Sequence, residues 1–193
     1  YHTGEHGLWQ KQSLFEESAR VPLLIVEPGA RARKAVVPTP VSHVDLFPTL
    51  AKMTGIQPPA DLPGQDLSPM LTNPDIQGRG WALTQVVRGG GFRRVGASPA
   101  VGDDGKRYFG YTLRTARWRY TEWDEGNHGK QLYDHDADPK ELQNLANNPQ
   151  LSGTVSELSA QLKSAVKTSF PAHGETPKPP QAGQLWEPEA FPR

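Results

Sequence analysis

The sequence predicts an α/β domain that gives way to a small α+β subdomain. Three observations carry this reading: a continuous apolar run from Val21 followed by a helical pattern, a later series of short aromatic and β-branched segments, and a capped amphipathic helix beyond Thr154. A chain of 193 residues suffices for one ordinary domain or one and a half small ones.

The run VPLLIV stops at Glu27-Pro28-Gly29. A short apolar stretch without alternation is the pattern of a strand buried on both faces, as in a parallel sheet. After the basic connection ARARKAVVPTPV comes SHVDLFPTLAKMTG, where Val44, Phe47, Leu50 and Ala51 recur at helical spacing and Gly55 supplies a left-handed stop. Pro48 fits the first turn if Asp45 is the N-cap, whereas a start at Ser42 predicts a kink. Residues from Ile56 to Gly80 are rich in proline, glycine and aspartate around a small cluster of Leu67, Met70 and Leu71, and read as a connector lying over the core. A boundary near Gly78 divides the expected α/β part, residues 1–78, from the expected subdomain, residues 79–170.

In the subdomain, WALTQVV, KRYFGYTLRT, ARWRYTEW and GKQLYDHD read as strands of an antiparallel meander. Apolar positions are odd-numbered at Tyr111 and Leu113 but even-numbered at Ala116, Trp118 and Tyr120. Side chains alternate faces along a strand, so the shift marks a tight turn around Thr115 to Arg117. Asp138-Pro139-Lys140-Glu141 has the form of a capping box and predicts a short helix. Thr154-Val155-Ser156-Glu157 repeats it, and Val155, Leu158, Leu162, Val166 and Phe170 form an apolar stripe to cover one face of the meander, ended by Pro171. Residues 171–193 read as a proline-rich extended tail pinned by Trp186 and Phe191.

Lysines and arginines equal aspartates and glutamates at 21 each, so no global charge argues for nucleic acid or an anionic membrane as partner, and anion recognition must be local. There are no cysteines, which excludes disulfides, zinc-thiolate sites and a cysteine nucleophile within the chain. No apolar stretch approaches the roughly 20 residues of a membrane span.

Three motifs invite a site and are weak on their own residues. His2 and His6 have the spacing of two imidazoles on one helical face, yet Gly4 and Gly7 make a poor helix. DHDAD at residues 134–138 imitates a calcium loop but places Pro139 sixth and Leu145 twelfth, where glycine and a bidentate glutamate belong. The Gly89-Gly90-Gly91 run with Arg88, Arg93 and Arg94 lacks phosphate-loop spacing and reads as a solvated loop. No metal ligand is assigned within the chain.

The opening segment carries more. GEHGLWQKQSLFEESARVPLLI, with Trp9, Lys11, Glu16-Glu17 and Arg20-Val21-Pro22, closely resembles the segment of type I sulfatases that follows their metal-binding Asp-His or Asp-Asn pair. PTPVSHVDLFPTLAKMTGI, LPGQDLSPML, GYTLRTARWRYTEW and QLYDHDADPKELQNLANNP are similar to the family's helix, connector, C-terminal hairpin and closing strand and helix, in that order. The GEHG form with its lysine is most similar to the iduronate-2-sulfatase group.

This resemblance implies the end of an alkaline-phosphatase-like α/β domain, with a parallel strand and helix, followed by a subdomain of a four-stranded antiparallel sheet and a packed helix. It implies a sulfuric ester hydrolase acting on a sulfated carbohydrate, with calcium and a formylglycine nucleophile whose residues fall upstream of Tyr1. The chain is then expected to need that upstream half as partner and to be inactive alone, in a periplasmic, extracellular or lysosomal setting. By the same resemblance Lys11 is the catalytic residue binding the sulfate oxygens, Tyr1, His2 and Trp9 line the substrate entrance, Glu5 and His6 shape the pocket behind them, and Arg20 pairs with Glu16 or Glu17. Two alternatives remain: a phosphonate or phosphate monoester hydrolase of the same superfamily, and a carbohydrate-binding module using the aromatic hairpin with Trp118, Tyr120 and Trp123.

Overall fold

The computed structural model describes residues 1–27, 36–89 and 107–170. The tail from residue 171 and the residues Gly90, Gly91, Arg93 and Arg94 lie outside them. The chain opens with an antiparallel ribbon of β1 (His2–Thr3) and β2 (Trp9–Gln10), joined through a 3-10 turn over Glu5–Gly7. Gly4 (φ 131°) and Gly7 (φ 66°) take backbone conformations open to glycine, which is why the ribbon closes in so few residues. The short helix α1 (Glu16–Ala19) follows, then α2 (Leu46–Met53) and α3 (Ser68–Thr72).

The run from Val21 departs from expectation. Residues 21–27 form neither helix nor strand, and Leu24 and Val26 are 84% and 87% exposed. A strand needs a neighbour to pair its backbone groups, and no described strand lies beside this one.

At α2 both proposed starts are used. A 3-10 turn over His43–Asp45 leads into the helix, the Asp45 carboxylate accepts from the Ser42 amide at 2.8 Å, and Pro48 stands third in α2, where its missing N–H forfeits no helical bond. Buried Asp45 also accepts from the Gln65 amide at 3.0 Å and pairs with Arg79 at 2.7 Å. The Leu67 amide donates to Thr49 Oγ1 at 2.9 Å, so the connector is laid along α2 by directional bonds.

All four expected strands form: β3 (Trp81–Gly89), β4 (Arg107–Thr115), β5 (Trp118–Trp123) and β6 (Lys130–Asp134), antiparallel in sequence order. Ala116 and Arg117 make the turn that the change of parity marked. Register places Leu113 opposite Tyr120 and Tyr120 opposite Leu132, so these three share a face. Onto it packs α4 (Ser152–Thr168), through Leu158, Leu162 and Ala165. The helix begins ahead of the Thr154 box, after a 3-10 turn in which Asn148 Oδ1 accepts from the Gln150 amide at 3.0 Å.

The Asp138-Pro139-Lys140-Glu141 stretch forms turns and no helix. A capping box needs its glutamate to reach back to the N-cap amide, and the Glu141 carboxylate is turned inward to Arg119 and His135 instead. Among the described residues no helix is long and apolar enough to cross a membrane.

Candidate functional site

The face of the sheet turned away from α4 carries Gly110, Thr112 and Arg114 of β4, Arg119, Thr121 and Trp123 of β5, and Tyr133 of β6. Residues 12–16 lie along this face. The Arg88 guanidinium donates to the Gln12 carbonyl, and Leu14 packs so close to Gly110 that a Cβ there would stand 2.9 Å from Leu14 Cδ1. The Phe15 ring lies 6.0 Å from that of Tyr133.

Glu16 completes a buried charge cluster. Arg119, 2% exposed, donates through Nε to Glu141 and through Nη2 to Glu16. Glu141, 1% exposed, also accepts from the Glu16 amide at 2.9 Å. Arg114 pairs with Glu16 at 3.4 Å and lies 2.8 Å from His135 Nδ1. A guanidinium only donates, so His135 Nδ1 accepts and Nε2 carries the proton given to Glu141 at 2.7 Å. Burial pushes the Glu141 carboxyl up, but the bond from His135, the Arg119 charge and the Glu16 amide outweigh it and hold the group below the ordinary glutamate range.

The adjacent carboxylate faces the other way. Glu17 Oε2 lies 3.6 Å from His6 Nε2 and 4.0 Å from His2 Nδ1, and the Glu17 carbonyl accepts from the Tyr1 amino group. Ser13 gives its hydroxyl proton to Ser18 at 2.8 Å, so His2 Nε2 donates to Ser13 at 2.7 Å. The His6 ring stacks on Phe15 with centroids 3.9 Å apart. His2 and His6 are thus brought together, through a turn and a shared carboxylate and not through a helix.

Lys11 is exposed at the end of the ribbon, and its ammonium forms no ion pair or hydrogen bond among the described residues. Tyr1 and Trp9 are exposed on the same ribbon. His2 corrects the expectation of an entrance residue: its side chain is buried by Ser13 and Glu17, so it supports the ribbon from within. Glu5 accepts from the Thr3 amide at 2.6 Å and from the Thr3 hydroxyl, bonds that hold its carboxyl below the ordinary range. Arg20 does approach Glu16, at 3.4 Å, but from an exposed position, and Arg119 is the buried partner. In DHDAD, Asp134 is occupied by Arg117 at 2.9 and 2.6 Å, which suits a turn and not a calcium loop.

Sequence reasoning did not find Arg114, Arg119, His135 or Glu141. The available signal was the pair of arginines on strand positions opposite in parity to the apolar face, a poor place for charge unless something covers it.

Among the described residues, Glu16, His135 and Glu141 bring three ligand atoms within 4.8 Å of one another. Both carboxylates are held by arginine, and guanidinium groups inside the cluster oppose a divalent cation, so these residues do not fit the calcium that the sequence resemblance implies.

A family profile described as N-sulphoglucosamine sulphohydrolase, C-terminal, matches residues 4–84. Arylsulfatase K of Rattus norvegicus is 31% identical over 171 residues, covering 84% of this chain and 27% of that protein. Choline-sulfatase of Rhizobium meliloti (strain 1021) is 36% identical over 149 residues, covering 76% and 25%. The solved structure of BT4656 in complex with its substrate D-glucosamine-2-N,6-O-disulfate superposes with a TM-score of 0.62 at 26% identity, covering 86% of this chain and 32% of that one. The chain thus spans about a quarter of the length of the curated relatives it matches. With the profile running from Gly4 through β2, α1, α2 and α3, and the relatives extending through the sheet, the chain belongs to the sulfatase family, of which it carries a C-terminal portion.

Proposed function

We propose that the chain is part of an enzyme hydrolysing sulfate esters on a carbohydrate, in which Lys11 binds the sulfate oxygens while Tyr1 and Trp9 border the substrate. The observation that carries this is the contrast within one segment: the carboxylates of Glu16 and Glu17 face cationic or imidazole partners, whereas the Lys11 ammonium is exposed and unpaired among the described residues. Negative charge grows on the departing and equatorial oxygens as the S–O bond breaks, and a fixed ammonium opposes that growth. The sugar disulfate bound by BT4656 supports a carbohydrate substrate here.

The nucleophile and calcium belong, on this reading, to the remainder of the enzyme, where the metal would hold the sulfate oxygens. Residues 1–78 then complete its catalytic domain and residues 79–170 form the subdomain. The exposed side chains of Leu24, Val26, Phe47 and Leu50 support such a partner, since large apolar groups left in water mark surfaces that become covered. A compartment outside the cytosol, periplasmic, extracellular or lysosomal, follows the family. Relatives above 30% identity are named for sulfate esters, which favours them over phosphate or phosphonate monoesters. Tyr120, the middle of the aromatic hairpin, is fully buried, which argues against a sugar-binding face there.

Turnover of aryl sulfate and aryl phosphate by the chain joined to its upstream half tests this. Lys11→Ala is expected to cost about 3 kcal/mol of barrier, on the order of a hundredfold in rate, with sulfate preferred over phosphate by the unaltered enzyme. Equal rates for the two proteins would remove Lys11 from the reaction.

A further inference from the structure

We propose that Glu141 is a positioning residue for the Lys11 segment: from a turn 125 residues beyond Glu16, it fixes the start of α1 and through it the ribbon that ends in Lys11. The functional part of this claim rests on the reading of Lys11 given above.

Glu141 sits at φ 55°, a left-handed conformation that a residue with a Cβ adopts only when its surroundings demand it. The surroundings here are three donors around one buried carboxylate: Arg119 Nε, His135 Nε2 at 2.7 Å and the Glu16 amide at 2.9 Å. The third is a backbone group, so Glu141 grips the main chain of α1 itself. Arg119 makes the grip double, because its other arm holds the Glu16 side chain.

From α1 the constraint passes to the ribbon by contact. Glu17 faces His2 and His6, the His6 ring lies flat on Phe15, and the Tyr1 amino group bonds to the Glu17 carbonyl. Apolar packing at this point would resist separation but not sliding, whereas a carboxylate with three directed donors also sets orientation.

Hydrogen exchange on the full chain decides between positioning and general stabilisation. In Glu141→Gln, amides of residues 2–16 should be accelerated about tenfold more than those of β4, β5 and α4, whose change follows only the loss of global stability. His135→Gln, which removes one donor of three, should give a smaller acceleration confined to the same residues. Uniform acceleration through the sheet and α4, or none anywhere, would overturn the proposal. In the completed enzyme, Glu141→Gln should lower kcat about tenfold with KM nearly unchanged, the pattern of a misplaced reacting group. If the unaltered enzyme fails to cleave aryl sulfate, the functional reading falls, and the exchange pattern still reports whether Glu141 holds the segment.

Discussion

Against α4 the sheet presents Leu113, Tyr120 and Leu132, closed over by Leu158, Leu162 and Ala165; against residues 12–16 it presents Thr112, Thr121, Arg114 and Arg119. The first contact is held chiefly by burial of apolar surface, which is favourable for any snug arrangement and itself indifferent to pH, with the Glu122 carboxylate accepting from Tyr120 Oη at 2.7 Å and from Ser159 Oγ of α4 at 2.6 Å beside it. The second is held by groups that are costly to bury unless each finds its partner, so it stabilises one arrangement and penalises its neighbours. A fold gains endurance from the first kind of face and placement from the second. The candidate catalytic lysine stands at the end of the segment that the second face holds.

The largest effect should come from breaking the polar face one partner at a time. Arg119→Met leaves Glu141 and Glu16 buried without their main counter-charge and is expected to cost roughly 3–5 kcal/mol, measured by denaturant unfolding. It should also change the response to acid. Because the folded pKa of Glu141 is depressed, its stabilising contribution is present above the unfolded pKa and lost as pH falls through the folded value. The unaltered chain therefore loses stability over that acidic window, and Arg119→Met should lose less of it.

On the apolar face, Leu162→Ala should cost on the order of 2–5 kcal/mol through lost transfer energy and the cavity left behind. Its cost should be the same at pH 7 and in the acidic window, which is what separates the two faces. The smallest change is expected at Arg20, which is 77% exposed and 3.4 Å from Glu16: Arg20→Ala should alter stability by less than about 0.5 kcal/mol.

The sequence made one face legible and hid the other. Alternation identified β4 and β5 and, through the shift between Leu113 and Ala116, the turn between them, because local strand periodicity is written in adjacent residues. The stripe on α4 was legible for the same reason. The bond between the Glu16 amide and Glu141 joins residues 125 apart, and nothing in the local pattern of either predicts it. The same bond explains the missing helix at Asp138, where a local capping signal lost to a distant buried partner. At Val21 the unbroken apolar run indicated a buried strand, yet no described strand pairs with it and Leu24 and Val26 stay exposed, since such a run reports an appetite for burial and not the neighbour that satisfies it. For the proposed site, the segment with Lys11 was singled out by resemblance to the sulfatases, while the cluster of Arg119, His135 and Glu141 that meets Glu16 emerged only from the fold.

The most direct test of the claim that the polar face is held by specific pairing is a double-mutant cycle between Arg119 and Glu141, using Arg119→Met, Glu141→Gln and the double variant. A stranded buried charge makes each single change expensive, and removing both relieves it, so the double variant should be more stable than the sum of the singles predicts by at least about 1.5 kcal/mol. Additivity within about 0.5 kcal/mol would contradict the account, because it would mean that the two groups meet in the cluster without depending on each other.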